Sequence, residues 1–240
     1  MEVHTAIHAD RAALMAGAAD SLVDAAKESI AERGRWMWAL SGGSTPETVY
    51  QLLAAEPYRS QINWNRVHVF WGDERCVPPE HKDSNYGMAR RALLDHVPLP
   101  PENIRRIRGE LSPQEAADDY IEQLRRAFGL GRMEMPVFDT VLLGLGADGH
   151  TASLFPDTEI LRRTDVPVAV ARVAKLDANR ISLTYPAINA AREILFLVSG
   201  ADKAPVVQAI LGGKGEQYPA AAIRNAAWLL DAEAAAGIGS

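Results

Sequence analysis

His150 stands at the end of a glycine-rich stretch, GLGADGHTASLFPD (144–157), directly after FDTVLL, a run that reads as a buried strand. Imidazole suits proton transfer near neutral pH, because its unperturbed pKa is ~6.5. Gly144, Gly146 and Gly149 let the backbone turn sharply and approach a ligand closely. Asp148, two residues before His150, either orients the imidazole or serves the turn alone. A lone histidine more often packs or caps; its position after a glycine-rich strand end is what points to chemistry.

The same three glycines spell G-x-G-x-x-G, the pattern of a dinucleotide-binding turn. That reading fails on context. Pro156 falls where the helix after such a turn must run unbroken, and its missing N–H would break it. Asp165 has roughly the ~20-residue separation of a ribose-binding carboxylate, but it precedes the next apparent strand instead of closing it.

A second strand end carries SGGST (41–45) and leads into a helix. Gly42 and Gly43 free the backbone, while Ser41, Ser44 and Thr45 offer hydroxyls. The unpaired N–H groups and the dipole of a helix N-terminus favour a phosphate there. The alternative is a Ser/Thr-capped helix after a tight turn. No lysine follows the glycines as in a Walker A loop, so a sugar phosphate is favoured over ATP.

At a third strand end, DER (73–75) adds two carboxylates and a guanidinium. Asp73 and Arg75 are candidate binding residues, Arg75 by bidentate grip on an anion; a surface ion-pair cluster is the competing reading. Lys203 is a candidate second cation, although lysines just inside a helix are usually only solvated. The sequence has no G-x-S-x-G elbow and no H-E-x-x-H motif, and its six histidines show no metal-ligand spacing. What remains suits general-base chemistry on a phosphorylated small molecule.

Elements that would position these groups follow from pattern. Leu14, Ala18, Leu22, Ala25, Ala26 and Ile30 recur at helical spacing over 10–33, with Gly34 as a stop. RWMWAL (35–40) and VHVFWG (67–72) read as strands, and a helix is expected to begin at Pro46 with Thr45 as its N-cap. A short helix is expected near 84–95, and a longer one opens at Ser112 with a capping box to Glu115. Strands follow over 137–146, 167–173, 180–186 and 193–200, then a helix over 202–211, an AAWLLD strand and an Ala-rich tail that could be helical. Strands alternating with helices predict a single α/β domain over 1–240, with a mostly parallel sheet flanked by helices on both faces.

The 240 residues are 48% hydrophobic, ample for a core, and the net charge of −6 offers no global attraction for nucleic acid or anionic membranes. One cysteine, Cys76, excludes an internal disulfide and suits a reducing compartment. No signal peptide or transmembrane run is apparent, so a cytoplasmic protein is expected, a monomer or weak homo-oligomer whose partner is a small-molecule substrate.

Taken in order, SGGSTP, WGDERCVP (71–78), SNYGMA (84–89), GLGADGHTASLFP (144–156), RISLTYPAINAA (180–191) and ILFLVSGADK (194–203) resemble the 6-phosphogluconolactonase family. The resemblance implies a Rossmann-like fold and hydrolysis of 6-phosphoglucono-δ-lactone to 6-phosphogluconate in the oxidative pentose phosphate pathway, without obligatory cofactor. It implies His150 as catalytic histidine, Arg75 as substrate-binding arginine, and Gly42, Gly43 and Ser44 as the phosphate turn. Lys203 and Arg180 would be further anion contacts. Two other functions stay in view. Glucosamine-6-phosphate deaminases share SGGST and G-x-G-x-DGH, but their proton-transferring glutamate falls on Phe155 and their D-E-Y on D-E-R. A non-catalytic sugar-phosphate sensor would keep SGGST and Arg75 and have no use for His150.

Overall fold

The computed structural model describes residues 4–131 and 134–238. In chain order the elements are β1 (Thr5–His8), α1 (Arg11–Arg33), β2 (Trp36–Leu40), α2 (Ser44–Leu53), β3 (Val67–Trp71), β4 (Asp73–Arg75), α3 (Asn85–Ala92), α4 (Pro113–Phe128), β5 (Thr140–Leu143), β6 (Val168–Val173), β7 (Ala178–Leu183), α5 (Tyr185–Asn189), β8 (Glu193–Val198), α6 (Ala204–Leu211) and β9 (Ala227–Asp231).

Local chemistry explains the long helices. Asp10 caps α1 by accepting from the Ala13 amide at 2.8 Å, and Gly34 ends it at φ +74°. Leu14, Ala18, Leu22, Ala25 and Ala26 form its buried face. On α4 the expected capping box between Ser112 and Glu115 is present, with Pro113 in the first turn and Gly129 closing the helix at φ +67°. The Ala-rich tail takes another course: residues 232–238 form successive turns, not a helix. Asp231 accepts from the Ala234 amide at 2.8 Å and also from the Gly200 amide, which ties the tail to β8 instead of leaving it to helix propensity.

Six strands form one sheet in the order β1-β9-β8-β5-β2-β3, and every neighbouring pair is parallel. All residues of β2 and β5 are buried, so both faces of the sheet centre are covered. The segments expected as strands near 167–173 and 180–186 pair antiparallel, as β6 and β7, in a separate sheet ordered β4-β7-β6. DER, read as a strand end, is a strand of its own, β4, following β3 after Gly72. Residues of both sheets contribute to one hydrophobic cluster. Among the described residues, no helix is long and apolar enough to cross a membrane.

The strand order fixes where a ligand can sit. From β2 the chain moves outward to β3, whereas from β5 it moves to β8 on the opposite side. Connections leaving neighbouring parallel strands in opposite directions open a crevice at their carboxyl ends. SGGST leaves β2 and GLGADGH leaves β5, so both motifs border that crevice.

Candidate active site

Two buried tyrosines fix the strand ends from which the site is built. The Tyr50 hydroxyl on α2 accepts from the Ser41 amide and donates to the Ser41 carbonyl, both at 2.9 Å. The Tyr120 hydroxyl on α4 does the same at the end of β3, accepting from the Trp71 amide at 2.8 Å and donating to its carbonyl at 2.9 Å. Burial pushes both phenols far above their ordinary range, so they stay protonated and able to donate. Tyr50→Phe would leave a buried amide and carbonyl unpaired, and a loss of about 1–3 kcal/mol is expected in denaturant unfolding. Stability within error of wild type would show that the Ser41 backbone finds other partners.

At the start of α2 the N-cap is Gly43, at φ +105°, and not Thr45. That backbone conformation is open to glycine and strained for other residues, which moves the helix start two residues upstream. Ser44 and Thr45 thereby lie in the first turn, followed by Pro46, which has no N–H. Among the described residues no side chain caps this helix, whereas Asp10, Ser84 and Glu115 with Ser112 serve α1, α3 and α4. The positive end of the α2 dipole is thus left for a ligand.

Across the crevice the turn after β5 is closed by the Gly146 amide donating to the His150 carbonyl at 2.8 Å. The Thr151 hydroxyl anchors its base, donating to the Gly144 carbonyl at 2.9 Å. His150 Nδ1 lies 2.5 Å from Asp148 Oδ1, and the imidazole stacks on Phe155 with centroids 4.0 Å apart. Partial burial works against ionisation of Asp148, but hydrogen bonds from Lys175 and His150 outweigh it and hold the carboxyl well below the usual range. An ionised carboxylate only accepts, so Nδ1 carries the proton and Nε2 is the nitrogen left to receive one.

The three residues of β4 divide their roles. Asp73 is buried, accepting from the Ser153 hydroxyl at 2.6 Å and from Asn85 Nδ2 at 3.1 Å. Glu74 turns to α3 and receives the Asn85 and Tyr86 amides, both at 2.8 Å, together with the Ser84 hydroxyl. Burial pushes its carboxyl up against those donors, and its work is to hold the start of α3. Arg75 donates through Nη1 to the Asp83 carbonyl at 2.5 Å, while its buried Nε has no hydrogen-bond partner among the described residues.

Gly42, Gly43, Ser44, Thr45, Asp73, Arg75, His150 and Lys203 line a single cleft of about 320 Å³. Asp148 stands behind His150, outside the cleft lining. Arg180 is not brought in: it pairs with Arg75 across β4 and β7 and lines an adjoining hollow with it. A family model described as glucosamine-6-phosphate isomerases/6-phosphogluconolactonase matches residues 9–230. The chain belongs to this family. Within it, the 6-phosphogluconolactonase of Nostoc sp. is 42% identical over 234 residues, 95% of each chain. That of Synechocystis sp. is 43% identical over 213 residues, 86% of each chain. The solved 6-phosphogluconolactonase from Trypanosoma brucei superposes with a TM-score of 0.86 at 31% identity, over 98% of each chain.

Several residues at the site carry no signal of their own in the sequence. Asn85 and Ser199 line the cleft, the first inside SNYGMA and the second just after β8. Ser153 reaches Asp73 from the DGHTAS segment. Polar residues in recognisable motifs could have been nominated for the site, but their partners lie as far as 80 residues away. Lys175, the ion-pair partner of Asp148, sits in a polar turn where a lysine reads as solvated.

Proposed function

We propose that this chain hydrolyses 6-phosphoglucono-δ-lactone to 6-phosphogluconate, with His150 as general base. The observation that carries the reading is an Asp148-held imidazole facing the uncapped start of α2 across one cleft. The substrate phosphate docks at the 42–45 turn, with Arg75 and Lys203 supplying positive charge, and this grip sets the lactone carbonyl near His150. Neutral His150 takes a proton through Nε2 from a water as its oxygen bonds to C1. The imidazolium then returns that proton to the ring oxygen as the C1–O bond breaks. No net proton stays on the enzyme. The deaminase reading fits poorly, because Phe155 stacks on His150 at the position of the deaminase glutamate and offers no proton-transferring group.

The test is lactone consumption measured against the spontaneous background. A rate no higher than background, with sugar phosphate still bound, would favour a sensor. Release of ammonia and fructose 6-phosphate from glucosamine 6-phosphate would favour a deaminase. Arg75→Ala removes a charge-assisted contact and is expected to raise KM roughly 10–100-fold with a smaller change in kcat. An unchanged KM would place the phosphate elsewhere.

A further inference from the structure

The turn joining β6 to β7 reaches the catalytic histidine from outside the cleft. Lys175 lies in a single 3-10 turn, Ala174–Leu176, and its Nζ pairs with Asp148 Oδ2. The other oxygen of that carboxylate, Oδ1, holds His150 Nδ1. Lys175 Nζ also lies 4.8 Å from the centroid of the Phe155 ring, and that ring stacks on His150 with an interplanar angle of 21°. His150, Asp148, Lys175 and Phe155 thus close a ring of side chains, in which three come from the 148–155 segment and one from the hairpin.

We propose that Lys175 is a positioning residue for the general base, fixing the Asp148 carboxylate against Nδ1 and offsetting part of its pull on the imidazolium. The proposal rests on the reading of His150 as general base. An exposed ion pair commonly contributes only ~0–1 kcal/mol to stability, and no more is asked of this one. Proton affinity is a separate matter, because the cation and the imidazole share one carboxylate and charges at such range couple directly. Other charged groups face His150 across the cleft: Asp73 and Arg75 on β4, and Lys203 before α6. Asp73 is already held by Ser153 and Asn85, and Lys203 by Asp202 at 2.8 Å. Lys175 alone among them touches the carboxylate that holds the ring.

The sign follows from the base having to be neutral. Without the lysine, Asp148 favours the imidazolium more strongly, so His150 holds its proton to higher pH. Lys175→Met is therefore expected to move the acid limb of kcat/KM upward by about half a pH unit to one unit. At pH 6 this lowers kcat/KM about three- to ten-fold, with a much smaller loss at pH 8. Lys175→Arg keeps the charge and is expected to restore the wild-type profile.

The experiment pairs these profiles with NMR titration of the His150 ring in the substrate-free protein, for wild type and both variants. An upward move of the titration midpoint in Lys175→Met, reversed in Lys175→Arg, supports the proposal. A midpoint that stays or moves down, or an arginine variant that behaves like methionine, overturns it. A wild type without lactonase activity would overturn the general-base reading, while the NMR arm would still decide whether Lys175 and His150 are coupled.

Discussion

His150→Ala is expected to lower kcat for lactone hydrolysis by about 10²–10⁴-fold, the range typical of general acid–base catalysis. KM should change little, since the proposed phosphate grip lies across the cleft at the start of α2 and at Arg75. The fold should survive, because the imidazole is partly exposed and its contacts are with Asp148 and Phe155, not with the main core. Any residual rate would come from positioning the carbonyl and from donors that stabilise the developing oxyanion. Measurement needs freshly generated lactone and subtraction of the spontaneous rate, which sets the floor for any variant. Wild-type kcat in the alanine variant, with a wild-type melting curve, would remove His150 from the mechanism.

What the sequence exposed and what it hid follow one rule. Features written within one short stretch of chain were legible: the capping box at Ser112, the apolar face of α1, and the glycine-rich exits from β2 and β5. Features that depend on distant partners were not. The apolar runs of β6 and β7 announce strands, but nothing in them says that they pair with each other, and β7 with β4, in a sheet apart from the parallel one. A strand of three charged residues such as β4 has no hydrophobic period to detect. It exists because Asp73 and Glu74 find donors on α3 and at Ser153. β1 is four residues long and lies at the sheet edge beside β9, too short for periodicity to register. The N-cap of α2 fell on Gly43 because propensity favours Thr45 while the turn demands a positive φ. At the site, residue type and strand-end position were enough to nominate His150, Arg75 and the 42–45 turn. Lys175 stayed hidden because its meaning lies wholly in the carboxylate 27 residues before it.

The glycines before His150 answer to different constraints, and one of them sets the second large effect. A Cβ on Gly146 would lie 2.0 Å from His150 Nδ1 and 2.7 Å from Asp148 Oδ1, whereas the same atom on Gly144 would meet nothing nearer than the Ser41 hydroxyl at 3.9 Å. Gly146 is not in the left-handed region, so alanine costs it no backbone strain and acts only by pushing on the imidazole and its carboxylate. A displaced catalytic group of about 1 Å can lower turnover on the order of 10²-fold. Gly146→Ala is accordingly expected to reduce kcat by about that factor, with KM near wild type because Arg75 and the α2 turn are untouched. Gly144→Ala is the matched comparison: its methyl would border the cleft, so any loss should appear in KM and leave the His150 ring in place. Steady-state kinetics on both variants, with NMR of the His150 ring, separate the outcomes. A Gly146→Ala enzyme with wild-type kcat, or with its loss confined to KM, would mean that the imidazole does not work from the position Asp148 gives it.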